Sequence, residues 1–214
     1  AQASPRQRGI RWAPIPGTAQ EQFFDDDTPN AHLLFQGAWA AGKTMTLVAK
    51  ALKLSAINAP LPIIWTVPDF GHVLDTILPV LDSADPDTGE LWFLAPDQYH
   101  YHRTDHVLTW SGGGPIWFAS AKDVQSIAGA NVAAALLDEP GRIDHAAWKN
   151  TVARVRHPGA TLRQTAAAGT PEGLNWLSEL FGDDRGAAFR VYHMTTAQNV
   201  ELLRHHPGYL DQVA

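Results

Sequence analysis

The chain contains no cysteine, which removes disulfides, zinc ribbons and thiol catalysis at once. Charged side chains are scarce too, at 18% of 214 residues against 45% hydrophobic. That balance excludes disorder for the body of the chain and supports one good core, in a single α/β domain or one domain with a small appendage. No apolar run approaches the ~18 residues of a membrane span, and the N-terminus lacks a charged-then-apolar leader pattern. The expectation is a soluble, intracellular protein with no membrane partner. Basic residues are few, 16 Lys and Arg against 22 Asp and Glu, for a net charge of −6. A surface that grips nucleic acid throughout is normally basic, because phosphates are neutralised by Lys and Arg. Any such contact must here be local or completed by other subunits. The only basic concentrations are Arg6, Arg8 and Arg11 near the start, and residues 154–163.

The pattern that is present alternates strand and helix. Residues 1–30 read as an irregular lead-in with one short helix at 19–24. Apolar runs at 31–36 (AHLLFQ), 63–67 (IIWTV) and 132–137 (VAAALL) predict buried strands, with further strands at 161–168 and 189–194. Helical spacing predicts helices at 43–54, 70–81, 145–155 and 173–181. Residues 100–110 and 115–120 flank Ser111-Gly112-Gly113-Gly114, which predicts an antiparallel hairpin with a glycine turn. Strands separated by helices imply a mainly parallel sheet with helices on both faces. We expect one domain over 1–214, with residues from about 187 onward forming a lid or linker.

Gly37-Ala38-Trp39-Ala40-Ala41-Gly42-Lys43-Thr44 matches the phosphate-loop pattern G-x-x-x-x-G-K-[ST], and a strand precedes it and a helix follows. Glycines let such a loop wind so that backbone N–H groups face phosphate oxygens, and the following helix adds its positive end. Lys43 then offers a charge to the β- and γ-phosphates of a nucleoside triphosphate, and the Thr44 hydroxyl a ligand for Mg²⁺. Asp138-Glu139 closes an apolar strand, where α/β sheets place ligand-contacting groups. Asp138 suits Mg²⁺ and Glu139 suits activation of the attacking water. Downstream, Gly169-Thr170-Pro171-Glu172-Gly173-Leu174-Asn175-Trp176 follows another strand. It reads either as a sensor of the γ-phosphate or as a plain helix start.

In this order, GAWAAGKT, VAAALLDEP and AAAGTPEGLNW resemble the ATPase domain of large terminase subunits, the DNA-packaging motor proteins of tailed bacteriophages. Thr18-Ala19-Gln20-Glu21-Gln22-Phe23 resembles the family's adenine-reading Q-x-x-F element and nominates Gln20. Phe118 to Ala121 and Ser126 to Gly129 resemble the lead-in to the acidic strand, and Thr195 to Asn199 the end of the domain. The resemblance implies the additional-strand P-loop fold with a catalytic glutamate, with the hairpin as an insertion. It implies hydrolysis of ATP with Mg²⁺ in the cytoplasm of an infected host, and Thr170 as the residue coupling hydrolysis to motion. It implies as partners double-stranded DNA, further copies of the chain in a ring (a pentamer), a portal protein and a small terminase subunit. Rival readings are a helicase- or recombinase-like ATPase and a nucleotide-dependent assembly switch.

Two departures stand out. Ala128 occupies the place where the family often carries an arginine, and the loop has Trp39, Ala40 and Ala41 where another is common. An arginine finger must then come from elsewhere. Arg142 is the first candidate, ahead of Arg154 and Arg156, with an ion pair to Asp144 or Glu172 as its structural alternative. Nothing after Thr196 supplies the family's nuclease domain. The ending favours a piece of a longer chain over a nuclease on another chain.

Three features are set aside. His100, His102 and His106 would share one face of a strand by its period of two, but no second cluster completes a metal site. Asp25-Asp26-Asp27 reads as a solvated turn, and His205-His206 as surface.

Overall fold

In the computed structural model, which describes residues 10–123, 129–182 and 186–213, the apolar runs become one sheet. Its strands are β1 (His32–Gly37), β2 (Ile63–Val67), β3 (Tyr99–His102), β4 (Val107–Trp110), β5 (Ile116–Ser120), β6 (Ala135–Asp138), β7 (Thr165–Gly169) and β8 (Phe189–Met194). Their spatial order is β3-β4-β5-β2-β6-β7-β1-β8. The pairs from β5 through β8 are parallel, whereas β3–β4 and β4–β5 are antiparallel. Strand β7 therefore lies between the strand leading into the phosphate loop and the strand ending in Asp138, which makes it the additional strand of the P-loop fold. Arg6, Arg8, Ser126, Ile127 and Ala128 lie outside the described residues.

The strands read as continuous apolar runs because both faces are covered. Leu33, Phe35, Ile63, Trp65, Leu136, Ala166 and Ala168 pack into the core beneath helices α1 (Ala19–Asp25) and α2 (Lys43–Ile57). The alternate residues Leu34, Leu137 and Ala167 face Trp148 of α5 (His145–Val152) and Leu177 of α6 (Trp176–Leu180). Parallel pairing then brings the carboxyl ends of β1, β6 and β7 to one edge of the sheet, with Gln36 beside Gly169 and Asp138 beside Ala168.

Several elements differ from expectation, each for a local reason. The helix expected over 70–81 is three segments: α3 (Phe70–His72), a π-helical turn (Val73–Ile77) and α4 (Leu78–Leu81). Pro79 has no N–H and its ring clashes with the carbonyl four residues earlier. The widened turn, with the Leu78 N–H bonded to Val73 O, absorbs that conflict. The single strand expected from 100 is split into β3 and β4 by a tight turn in which His106 has φ +53°. His106 leaves the strand face, stacks on Phe70 with ring centroids 3.5 Å apart, and bonds the Tyr101 hydroxyl. His100 and His102 thus lose their third partner. Among the described residues no group of three or more His, Asp or Glu side chains is arranged to hold a metal.

The strand expected from 161 starts at Thr165, because the preceding residues pair with side chains instead. Leu162 exchanges two 3.0 Å hydrogen bonds with the Asn58 amide. The helix expected from 173 begins only at Trp176, where Asn175 forms a capping box with Ser178. Two C-terminal helices, α7 (Val200–His205) and α8 (Tyr209–Val213), were not predicted as elements.

The aspartate turn is not simply solvated. Asp25 and Asp27 are exposed, but the Asp26 side chain is 5% exposed and pairs with Arg190 at 2.9 Å. Burial alone would raise its pKa. Hydrogen bonds from Tyr192, Thr28 and Arg190 outweigh burial and bring it down to about 2. This pairing joins the end of α1 to edge strand β8.

Candidate active site

The phosphate loop turns directly out of β1. Ala40 and Gly42 both have positive φ, +56° and +79°, and Gly42 caps α2 in the left-handed region that only glycine enters without strain. Lys43 Nζ donates to Gly37 O at 3.2 Å and to Ala38 O at 3.1 Å, which holds the ammonium over the loop's mouth. Thr44 is the second residue of α2. The loop opens onto a cavity of about 400 Å³ lined by Trp39, Ala40, Lys43, Glu139, Arg142, Thr170 and Glu172. All three sequence motifs therefore converge on one cavity.

Asp138 ends β6 with its side chain almost wholly buried, and its Oδ2 accepts a 2.9 Å hydrogen bond from His72 Nε2. That bond raises the His72 pKa above its ordinary value. His72 escaped the sequence reading because its partner is 66 residues away and no local pattern links them. Glu139 follows with φ +46°, a conformation uncommon outside glycine. Its N–H donates to Ala168 O at 2.8 Å, and its Oε2 accepts the Thr170 N–H at 3.2 Å. Burial pushes its pKa up, against the Thr170 N–H, Lys43 and Arg142, which favour the carboxylate. Gly169 makes this crossing feasible, since a Cβ there would stand 2.8 Å from Pro140 Cδ.

Oxygen donors at the end of a strand, beside a loop that cradles phosphate, fit Mg²⁺, which is commonly held by one carboxylate, a hydroxyl and substrate oxygens. Among the described residues His72 bonds Asp138 through Oδ2, which leaves Oδ1 for such a role.

Arg142 is exposed on the rim of its own cavity, and among the described residues it pairs with neither Asp144 nor Glu172. Arg154 sits at the other end of the sheet, where its carbonyl accepts from Val132 N–H. The structure thus separates the first arginine candidate from the reserve ones.

Gln20 lies under the loop's far end. Its Oε1 accepts from Ile15 N–H at 2.8 Å, and its Nε2 donates to Thr46 Oγ1 at 2.8 Å, which in turn donates to Gly42 O. It borders a second cavity of about 360 Å³ with Trp12, Ile15, Met45, Trp92 and Leu202. His206 is exposed as expected, whereas His205 is half-buried, and both line this cavity. The two cavities flank Gly42 and Lys43, as a base-binding and a phosphate-binding compartment would.

The architecture matches solved structures. The large terminase of a thermophilic bacteriophage, in complex with ATP-gamma-S, superposes with a TM-score of 0.63 at 14% identity, covering 92% of this chain and 49% of that one. The large terminase ATPase domain of Thermus phage P74-26 gives 0.56 at 16% identity, covering 92% and 87%. The HK97 bacteriophage large terminase gives 0.55 at 16% identity, covering 82% and 38%. The chain spans about half the length of the thermophilic bacteriophage terminase it matches. No curated protein matches it significantly in sequence. The family model described as terminase large subunit, T4likevirus-type, N-terminal, matches residues 34–213, so the chain belongs to the large terminase subunit family.

Proposed function

We propose that this chain is the ATPase motor part of a viral large terminase, hydrolysing ATP to drive double-stranded DNA into a procapsid. The observation that carries the proposal is the position of Glu139. Its half-buried carboxylate shares one cavity with Lys43, Arg142 and Thr170, directly after the buried Asp138. A switch protein that only binds nucleotide has no need of a held carboxylate there.

In this reading residues 37 to 44 wrap the phosphates, and Lys43 meets the β- and γ-oxygens. Thr44 and Asp138 would hold Mg²⁺, which when bound would supply positive charge to the phosphoryl oxygens. Glu139 orients the attacking water and accepts its proton, a role that its raised pKa strengthens. Thr170 senses the reaction through the hydrogen bond from its N–H to the same carboxylate. Gln20 borders the compartment for adenine. The acidic chain, with net charge −6, meets DNA as one of several copies in a ring on the portal, with the small terminase subunit as a further partner. This ring acts in the cytoplasm of the infected cell. Among the described residues no helix is long and apolar enough to cross a membrane.

The test is steady-state hydrolysis of Mg·ATP across a wide protein concentration range, in the parent and in Glu139→Gln. We expect a rate that rises faster than linearly with concentration. Glu139→Gln should lower it by roughly 10²- to 10⁴-fold while nucleotide still binds. A rate that survives Glu139→Gln would overturn the assignment of the catalytic acid. Binding without turnover in the parent would favour an assembly switch.

A further inference from the structure

Three successive residues of the phosphate loop are tied to the end of β8 and the segment that follows it. The Ala38 N–H donates to Met194 O at 3.1 Å. The Thr196 hydroxyl donates to Trp39 O at 2.7 Å, and the Asn199 amide donates to Ala40 O at 2.7 Å. Asn199 uses its other end as well, because its Oδ1 accepts from Leu202 N–H and so caps α7. The first turn of α7 and the Ala40 peptide are thereby held by the two ends of one side chain. The far end of α7 is anchored separately, by an ion pair between Arg204 and Asp87.

The geometry has a direct consequence for the loop. In a trans peptide the carbonyl and the N–H point in opposite directions. Pinning the Trp39 and Ala40 carbonyls toward the C-terminal segment turns the N–H groups of Ala40 and Ala41 the other way. The Ala41 N–H accordingly points back across the loop to Ala38 O. Ala40 needs such a tether more than its neighbours, since its φ of +56° is costly for a residue with a Cβ. We propose that Thr196 and Asn199 are positioning residues for the phosphate loop, fixing the Trp39–Ala40 and Ala40–Ala41 peptide planes, and with them the closed turn from Ala38 to Ala41, in the shape that receives a triphosphate. The inference rests on the nucleotide-binding reading of that loop.

The experiment is isothermal calorimetry of Mg·ATP-γ-S binding to the full chain and to Asn199→Ser, Asn199→Ala and Thr196→Val, with unliganded melting temperatures alongside. Serine caps a helix about as well as asparagine, but it is too short to reach Ala40 O. If Asn199 positions the loop, Ser and Ala weaken binding alike, by roughly five- to ten-fold for one lost hydrogen bond, although Asn199→Ser melts like the parent. Thr196→Val should weaken binding by a few-fold and provides an independent arm should the Asn199 variants fail to fold. Parent-like binding by Asn199→Ser, with loss only in Asn199→Ala, would show that Asn199 is a helix cap alone and overturn the inference. A parent that does not bind Mg·ATP-γ-S would instead overturn the phosphate-loop reading itself, and the inference with it.

Discussion

His72 Nε2 lies 2.9 Å from Asp138 Oδ2, and the contact joins the helix after β2 to the strand-end acid of β6. His72 is itself held in place. Its N–H bonds the Asp69 cap, and Asp69 pairs with Lys122 at 2.9 Å. If Asp138 holds Mg²⁺ as proposed, a partner on its second oxygen fixes which oxygen faces the ion. His72→Ala should therefore raise the Mg²⁺ concentration needed for half-maximal hydrolysis by about ten-fold, with the nucleotide affinity in EDTA unchanged. A Mg²⁺ titration indistinguishable from the parent's would remove His72 from the site.

Arg142 shares its cavity with Lys43 and Glu139 of the same chain. We expect it to stabilise the transition state within that chain, and Arg142→Ala to lower turnover by roughly 10³-fold without loss of binding. Mixing Arg142→Ala with Glu139→Gln separates the two geometries. A finger reaching a neighbour would let mixed assemblies regain activity at interfaces that combine the intact residues. Our expectation is no rescue, and recovery of activity on mixing would place Arg142 across an interface.

How much of this was legible in the sequence depended on the range of the interactions. Strands β2 and β8 appear at their predicted limits, and α2 begins at Lys43 as expected, because apolar runs and a glycine-lysine boundary are local signals. The convergence of Lys43, Glu139 and Thr170 also followed, since parallel strands present their carboxyl ends at one edge. What could not be read depended on distant partners. Asp26 looks solvated until Arg190 and Tyr192 arrive from β8, and His72 looks idle until Asp138 does. The split of 100–110 arose from one positive φ at His106, which the stacking on Phe70 supports and no sequence period announces.

Gly169 offers a test of how closely β7 and the Glu139 turn must approach. An added Cβ would sit 2.8 Å from Pro140 Cδ and 3.5 Å from Glu139 Cα. Proline cannot rotate away, so the turn itself must shift. Gly169→Ala should cost about 1–3 kcal/mol of stability and, by displacing Glu139, reduce turnover more than nucleotide affinity. Urea unfolding and hydrolysis rates together check this. A variant with parent-like stability and rate would mean that the turn yields freely.

The last prediction concerns pH. The Lys50 side chain is fully buried. Its Nζ donates to Asp26 O at 2.7 Å and Phe24 O at 3.2 Å, and stands 3.6 Å from Asp27. Burial, reinforced by neighbouring Lys53 and opposed by Asp27 and Asp26, pushes its pKa down from 10.5 to about 8. Between those two values the unfolded chain binds more protons than the folded one, so stability attributable to Lys50 rises with pH across that window. The stability difference between the parent and Lys50→Met, measured by urea unfolding from pH 7 to 10, should be flat near pH 7. It should then climb in the parent's favour, by at most about 1.4 kcal/mol per pH unit. The slope is the readout, because the variant also removes the Lys50 donor from the Phe24 and Asp26 carbonyls at every pH. A difference that stayed flat to pH 10 would mean that Lys50 keeps its ordinary pKa, and that water reaches the junction between α1 and α2.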